Sequence, residues 1–116
     1  MITQFDVSTC LVEQLPEIRT NLNYSYPTLN IFKMIRCLVD HTRSKMEQHD
    51  MQGVKNCLDT AEYIYARGNK PVKNVMENIF VYSFSSLFNM GNSDEKRELQ
   101  SLMPLHLYCA YVKQLV

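Results

Sequence analysis

The stretch from Val72 to Phe88 constrains the fold more than any other part of the chain. At about 100° per residue, Val72, Val75, Met76, Ile79, Phe80, Ser83, Phe84, Leu87 and Phe88 cover well over half of a helix's circumference. A helix apolar over so wide an arc must be contacted from several sides, which places it at the centre of a bundle. Asn74, Glu77, Asn78 and several serines interrupt the run. A membrane span needs about 20 mostly apolar residues, so this stretch reads as a core helix.

The rest of the chain supplies the neighbours. It holds only three glycines and four prolines, and nearly all fall where helices should start or stop. A first segment runs from about Val7 to Leu22, with Leu11, Leu15, Ile18 and Leu22 on one face. Pro16 kinks it or restarts it from the first turn. Asn23–Tyr26 reads as a loop, and Pro27 opens a second helix that extends to about Gln48. The buried stripe of that helix is Leu29, Phe32, Ile35, Val39, Thr42 and Met46. Asp50 caps a third helix, Met51 to Arg67, whose apolar face is Val54, Cys57, Leu58, Ala61 and Ile64.

Gly68 supplies a left-handed stop to the third helix. Asn69 and Pro71 begin the fourth, Lys70 to Asn89, almost at once, so the two form an antiparallel hairpin. Gly91 ends the fourth helix. Asn92 or Ser93 caps a fifth, with Asp94 and Glu95 in its first turn as the helix dipole prefers. Pro104 breaks it, and a last helix presents Tyr108, Tyr111, Val112 and Leu115 as its face. The expectation is an all-α single domain over residues 1–116. It is a compact bundle of about five or six helices with the fourth at its centre.

Composition narrows the function. With 46% hydrophobic and 21% charged residues the chain has globular composition. Twelve basic residues balance twelve acidic ones, which removes the electrostatic argument for nucleic acid or an anionic membrane. The basic run Lys33, Arg36 and Arg43 is offset by Asp40 and Glu47 at i,i+4 spacing, which describes a solvated face. The opening residues, Met1 to Asp6, do not resemble a secretory signal, so a cytoplasmic protein is expected. In that compartment Cys10, Cys37, Cys57 and Cys109, which form no CxxC pair, should be reduced and packed as small apolar side chains.

No catalytic, metal or cofactor motif is visible. None of His41, His49 and His106 lies three or four residues from another histidine, and Cys37 with His41 makes only two potential ligands on one face. Neither a nucleophile elbow nor a glycine-rich phosphate loop occurs. Glu77, beside Phe80 and Phe84, has Lys73 one turn earlier as its expected partner.

One feature of the fourth helix is a candidate site. Asn74, Asn78, Ser85 and Asn89, with Val81 and Tyr82 alongside, form a neutral polar stripe without a charge. Exposed helix surfaces favour Lys and Glu, which are better helix formers than Asn. The stripe therefore either bonds to loop backbone folded over it or lines a partner interface. For Asn74 and Asn78 the first is expected, with the Asn23–Pro27 loop or the Gly68–Asn69 turn as recipient.

The run Ala61 to Asn69, followed by Val72, Asn74, Glu77-Asn78 and Phe80-Val81, resembles a bacterial family of short, uncharacterised helical proteins. Leu102-Met103-Pro104 through Tyr108 is similar as well, so the resemblance covers about residues 50–116. It implies a helical domain of bacterial source and leaves the activity open. Seven tyrosines cannot all be buried, and exposed tyrosine is enriched at interfaces. The reading is a non-enzymatic protein–protein interaction module, of immunity, antitoxin or adaptor type, with a protein partner or a second copy. The alternative is a small-molecule-binding regulatory sensor with a pocket between helices.

Overall fold

A computed structural model describes residues 1–20, 22 and 30–115. Helix α1 (Val7–Gln14) is followed by a 3-10 turn at Pro16–Ile18, then by α2 (Ile31–Glu47) and α3 (Met51–Arg67). A bent helix over 70–90 comes next. It starts as α4 (Lys70–Val75), passes through a π turn at Met76–Phe80 and a 3-10 turn at Val81–Ser83, and ends as α5 (Phe84–Met90). Helices α6 (Ser93–Leu102) and α7 (Leu105–Leu115) complete an all-α bundle. Among the described residues, the extended pairing is an isolated bridge between Ile2 and Gly68.

Local chemistry sets most of the boundaries. The Asp50 carboxylate accepts from the Gly53 N–H at 2.9 Å and caps α3. Asn69 caps α4, with Pro71 in the first turn. Asn92 and Glu95 exchange side-chain-to-backbone bonds as a capping box on α6. Pro16 opens the 3-10 turn, as a residue with no N–H to lose can. Helix α2 starts later than expected: Asn30, accepting from the Lys33 N–H at 3.0 Å, is its cap. Pro27, Leu29 and the Asn23–Tyr26 loop lie outside the described residues.

The left-handed stop falls elsewhere than expected. Gly68 is extended (φ −70°, ψ 148°), and its bareness matters for space. A Cβ there would stand 2.7 Å from Val72 Cγ1 and 2.8 Å from the Ile64 carbonyl oxygen. Ile2 closes over this turn, donating to the Arg67 carbonyl at 2.7 Å and accepting from the Asn69 N–H at 2.8 Å. The left-handed residue is His49 (φ 57°), between α2 and α3. There the Asp50 N–H returns to the Lys45 carbonyl at 2.9 Å, a Schellman-type closure.

The core matches the wide apolar arc of the fourth helix. The segment 76–83 packs against α2, α3 and α7, with Phe80 and Phe84 fully buried edge to face, their ring centroids 5.4 Å apart. Val54, Cys57, Leu58, Ala61 and Ile64 of α3 are fully buried. Helix α2 is rotated from the expected stripe: Ile31, Met34 and Leu38 join Ile35, Val39, Thr42 and Met46 inside, while Phe32 stays 54% exposed.

The π turn changes the register of the bent helix. Its closing bond runs from the Val81 N–H to the Met76 carbonyl, one residue longer than an α turn. That extra residue swings Val81 out of the polar stripe and into the core, where it is fully buried. The tighter 3-10 turn follows at once, and the Ser83 hydroxyl donates to the Phe80 carbonyl at 2.6 Å. Phe84 and Leu87 thereby return to the buried side.

Candidate functional site

Helix α7 is tied down at three points, and these set its rotation. At its N-terminus, Glu62 of α3 accepts from the His106 and Leu107 backbone N–H groups, each at 3.1 Å, and from His106 Nδ1 at 2.7 Å. In the middle, the Tyr111 hydroxyl meets Ser85 Oγ at 3.2 Å. Toward the end, Gln114 Nε2 donates to the Glu77 carbonyl at 2.7 Å. Held this way, α7 buries Leu107 and Ala110.

The expected core face of the last helix therefore turns outward. Tyr111 is half-buried, but Leu105 (69%), Tyr108 (52%), Val112 (38%) and Leu115 (65%) are exposed. Their 3-4-3 spacing places them within an arc of about 80°. They form a continuous apolar ridge on the surface.

Beside the ridge lies an open groove of about 870 Å³ between α5, α6 and α7. Its floor is aromatic: Tyr111 packs edge-on against Phe84 at 5.5 Å and tilted against Phe88 at 5.9 Å, extending the core ring stack to the surface. Met103 fills the end near the α6–α7 junction, and Ser85, Asn89 and Gln100 form the polar wall. Lys96 is the one charged residue of the lining. A second recess of about 610 Å³, bordered by Asn78, Tyr82 and Gln114, adjoins the groove and shares Ser85, Tyr111 and Leu115 with it.

The polar stripe divides along these hollows. Asn78, Tyr82 and Ser85 border the recess, Ser85 and Asn89 border the groove, and Asn74 borders neither. All five are exposed. Among the described residues neither Asn74 nor Asn78 bonds to loop backbone, because Ile2 takes the Arg67 carbonyl and the Asn69 N–H. The other expected recipient, Asn23–Pro27, lies outside the described residues. Leu105 and Lys96 were not singled out by the sequence, and Phe88, expected in the core arc of the fourth helix, is half-buried and lines the groove with Met103. For Leu105 a signal existed, since it extends the spacing of Tyr108, Val112 and Leu115 by three residues.

Several other expectations change once the elements are packed. Glu77 does not pair with Lys73: the Tyr65 hydroxyl, brought over by α3, donates to it at 2.6 Å. Burial, together with that carboxylate, pushes the Tyr65 hydroxyl up to about 12. Neither Arg36–Asp40 nor Arg43–Glu47 closes as an ion pair among the described residues. Arg43 instead lies in a cleft of about 250 Å³ with its Nε buried and without a hydrogen-bond partner. Cys57 is buried, which pushes its thiol up to about 11, whereas Cys109 is exposed on α7 rather than packed. Each histidine faces a glutamate from a distant element: His41 with Glu17, His49 with Glu95, His106 with Glu62. Among the described residues no three His, Cys, Asp or Glu side chains converge as a metal-holding group.

The fold and the groove define a class: an all-α bundle with an open, aromatic-floored surface groove and no helix, among the described residues, long and apolar enough to cross a membrane. The chain belongs to a family described as a domain of unknown function (DUF7674), whose model matches residues 8–116. Searches of curated proteins and of solved structures find no match.

Proposed function

We propose that this domain is a non-enzymatic protein–protein interaction module of the bacterial cytoplasm, of immunity, antitoxin or adaptor type. The observation that carries the reading is the ridge Leu105, Tyr108, Val112 and Leu115 standing exposed beside a groove floored by Phe88 and Tyr111. Large apolar side chains in a contiguous exposed patch mark association surfaces. Tyrosine supplies apolar area together with a polar tip suited to a rim. An amphipathic helix laid along the groove is the recognition mode this shape supports. A small-molecule sensor is the second reading, supported by the groove's volume, which falls within the usual ligand range of about 300–1,000 Å³.

The test is a photo-crosslinking amino acid placed at Tyr108 in living cells, with the exposed Gln52 of α3 as the control position. A protein adduct from position 108 that Leu115→Glu abolishes is the expected result. Absence of any protein adduct beyond the control would sink the reading, and a thermal shift with a small metabolite would then favour the sensor.

A further inference from the structure

We infer that the cleft between α2 and the bent helix binds a small hydroxylated phosphate monoester, its phosphate on Arg43 and Arg36 and its hydroxyl on Asp40. The cleft is separate from the α5–α6–α7 groove, so the inference goes beyond the interaction-module reading.

The cleft, of about 250 Å³, combines a charged helix face with neutral polar groups. Arg36, Asp40 and Arg43 share an arc of about 60° on α2, the two arginines about 10 Å apart along the axis. From the bent helix, the π turn supplies Asn78 and Ile79, and the 3-10 turn supplies Tyr82 and Ser83. A π turn presents side chains in a register that a regular helix lacks, and such turns are frequent at functional sites.

Arg43 carries the inference. A guanidinium stays charged at physiological pH, and burying one of its donors without an acceptor is costly. Among the described residues, Arg43 Nε is the one buried side-chain nitrogen or oxygen without a hydrogen-bond partner. Two carboxylates stand at helical pairing distance, Asp40 three residues before and Glu47 four after, yet neither closes on it as an ion pair. Arg36 closes none with Asp40 either. A plain solvated face would pair these groups or leave their nitrogens in water. This one buries an unmatched donor at the edge of a cleft.

Phosphate is the anion that suits two guanidiniums. One arginine fork satisfies a carboxylate, whereas the several terminal oxygens of a phosphate can accept from two forks at once. Asp40 sets the rest of the ligand. Lying between the arginines along the helix, it repels a bare dianion and accepts from a donor, which a hydroxyl beside the phosphate provides. The exposed Asn78 amide and Tyr82 hydroxyl offer further donors. The volume lies below the range of about 300–1,000 Å³ usual for larger ligands, which limits the substituent to a short one.

The experiment is an NMR titration of the full chain in phosphate-free buffer, with glycerol 3-phosphate and with propyl phosphate, its hydroxyl-free counterpart. The expected result is a saturable shift of the Arg43 Nε–H resonance and of the backbone amides of residues 78–83, at lower concentration for glycerol 3-phosphate. Arg43→Gln should weaken binding about tenfold or more, and Arg43→Lys, which keeps the charge without the fork, should not restore it. Asp40→Asn should erase the preference between the two ligands. The wild-type Nε–H resonance reports on the site even if a variant fails to fold.

An Arg43 resonance that stays still up to about 10 mM of both ligands overturns the inference, since binding weaker than that is not recognition. Saturation that survives Arg43→Gln overturns it as well, and equal affinity for the two phosphates overturns the hydroxylated class. Tyr108 lies outside this cleft, so each of these failures leaves the crosslinking test of the interaction module unaffected.

Discussion

Glu62 holds His106 twice: Oε2 accepts from the backbone N–H at 3.1 Å and from ring Nδ1 at 2.7 Å, across 44 positions of sequence. Its other oxygen takes the Leu107 N–H at 3.1 Å. A carboxylate on α3 thus does for α7 what an N-cap residue does locally, satisfying orphan donors and facing the positive end of the helix dipole. Pro104, with no N–H of its own, directly precedes this helix. The cap is therefore supplied through space, and with it the orientation of the whole exposed ridge.

Removing this carboxylate should loosen α7 selectively. Glu62→Ala should cost about 0.5–2 kcal/mol, the range for loss of a helix cap. Urea unfolding measures the total, and hydrogen exchange at His106 and Leu107 locates it. An unchanged midpoint with unchanged exchange would mean that packing alone holds the helix.

The centre of the bundle should answer differently at two neighbouring positions. Phe80 is fully buried, so Phe80→Ala should cost about 3–5 kcal/mol. Ile79 directly precedes it in the apolar arc but is only half-buried within the π turn. Ile79→Ala should cost clearly less in the same denaturation experiment. Equal losses would contradict the register shift.

Stability should fall in acid, and Glu95 should be one cause. Its carboxylate is held below the ordinary value of 4.5 by the bond from His49 Nδ1 at 2.7 Å, then by the Asn92 backbone N–H. A carboxylate with a depressed folded value stabilises the native state above its unfolded value, and that contribution fades as pH falls through the folded one. Glu17 shifts the same way: burial works against the change, and hydrogen bonding, including that from His41, outweighs it. Thermal melts between about pH 3 and 6 should show a steep drop on the acid side of 4.5. Glu95→Gln should flatten that drop, and identical profiles for the two proteins would refute the assignment.

The exposed asparagines should tolerate replacement. Asn74 and Asn78 are exposed and make no bond to loop backbone among the described residues. Alanine at either position should leave stability unchanged or raise it by up to about 0.5 kcal/mol through helix propensity. Calorimetry on the two single variants checks this. A loss of about 1 kcal/mol or more would indicate an orphaned hydrogen-bonding partner.

Local signals were legible in the chain wherever the physics is local. Asp50, Asn69 and the Asn92–Glu95 box mark helix starts because a side chain three residues away satisfies an orphan backbone N–H, an interaction complete within one turn. The apolar arcs of α3 and of the bent helix were readable because both helices are covered on those arcs, so periodicity and burial coincide. Tertiary structure decided the rest. The π turn that carries Val81 inward depends on α2, α3 and α7 closing around the segment. Tyr65 displaces Lys73 as the partner of Glu77 because α3 brings a hydroxyl to 2.6 Å. Helix α7 is apolar on two adjoining sides, and periodicity alone cannot tell which of them is covered. Glu62 and the Glu77 carbonyl, which accepts from Gln114, settle that question from outside the helix, turning Leu107 and Ala110 inward and leaving Tyr108, Val112 and Leu115 as a ridge. A sequence records which faces are apolar, and the neighbours that assemble around a helix determine which of those faces is left to meet a partner.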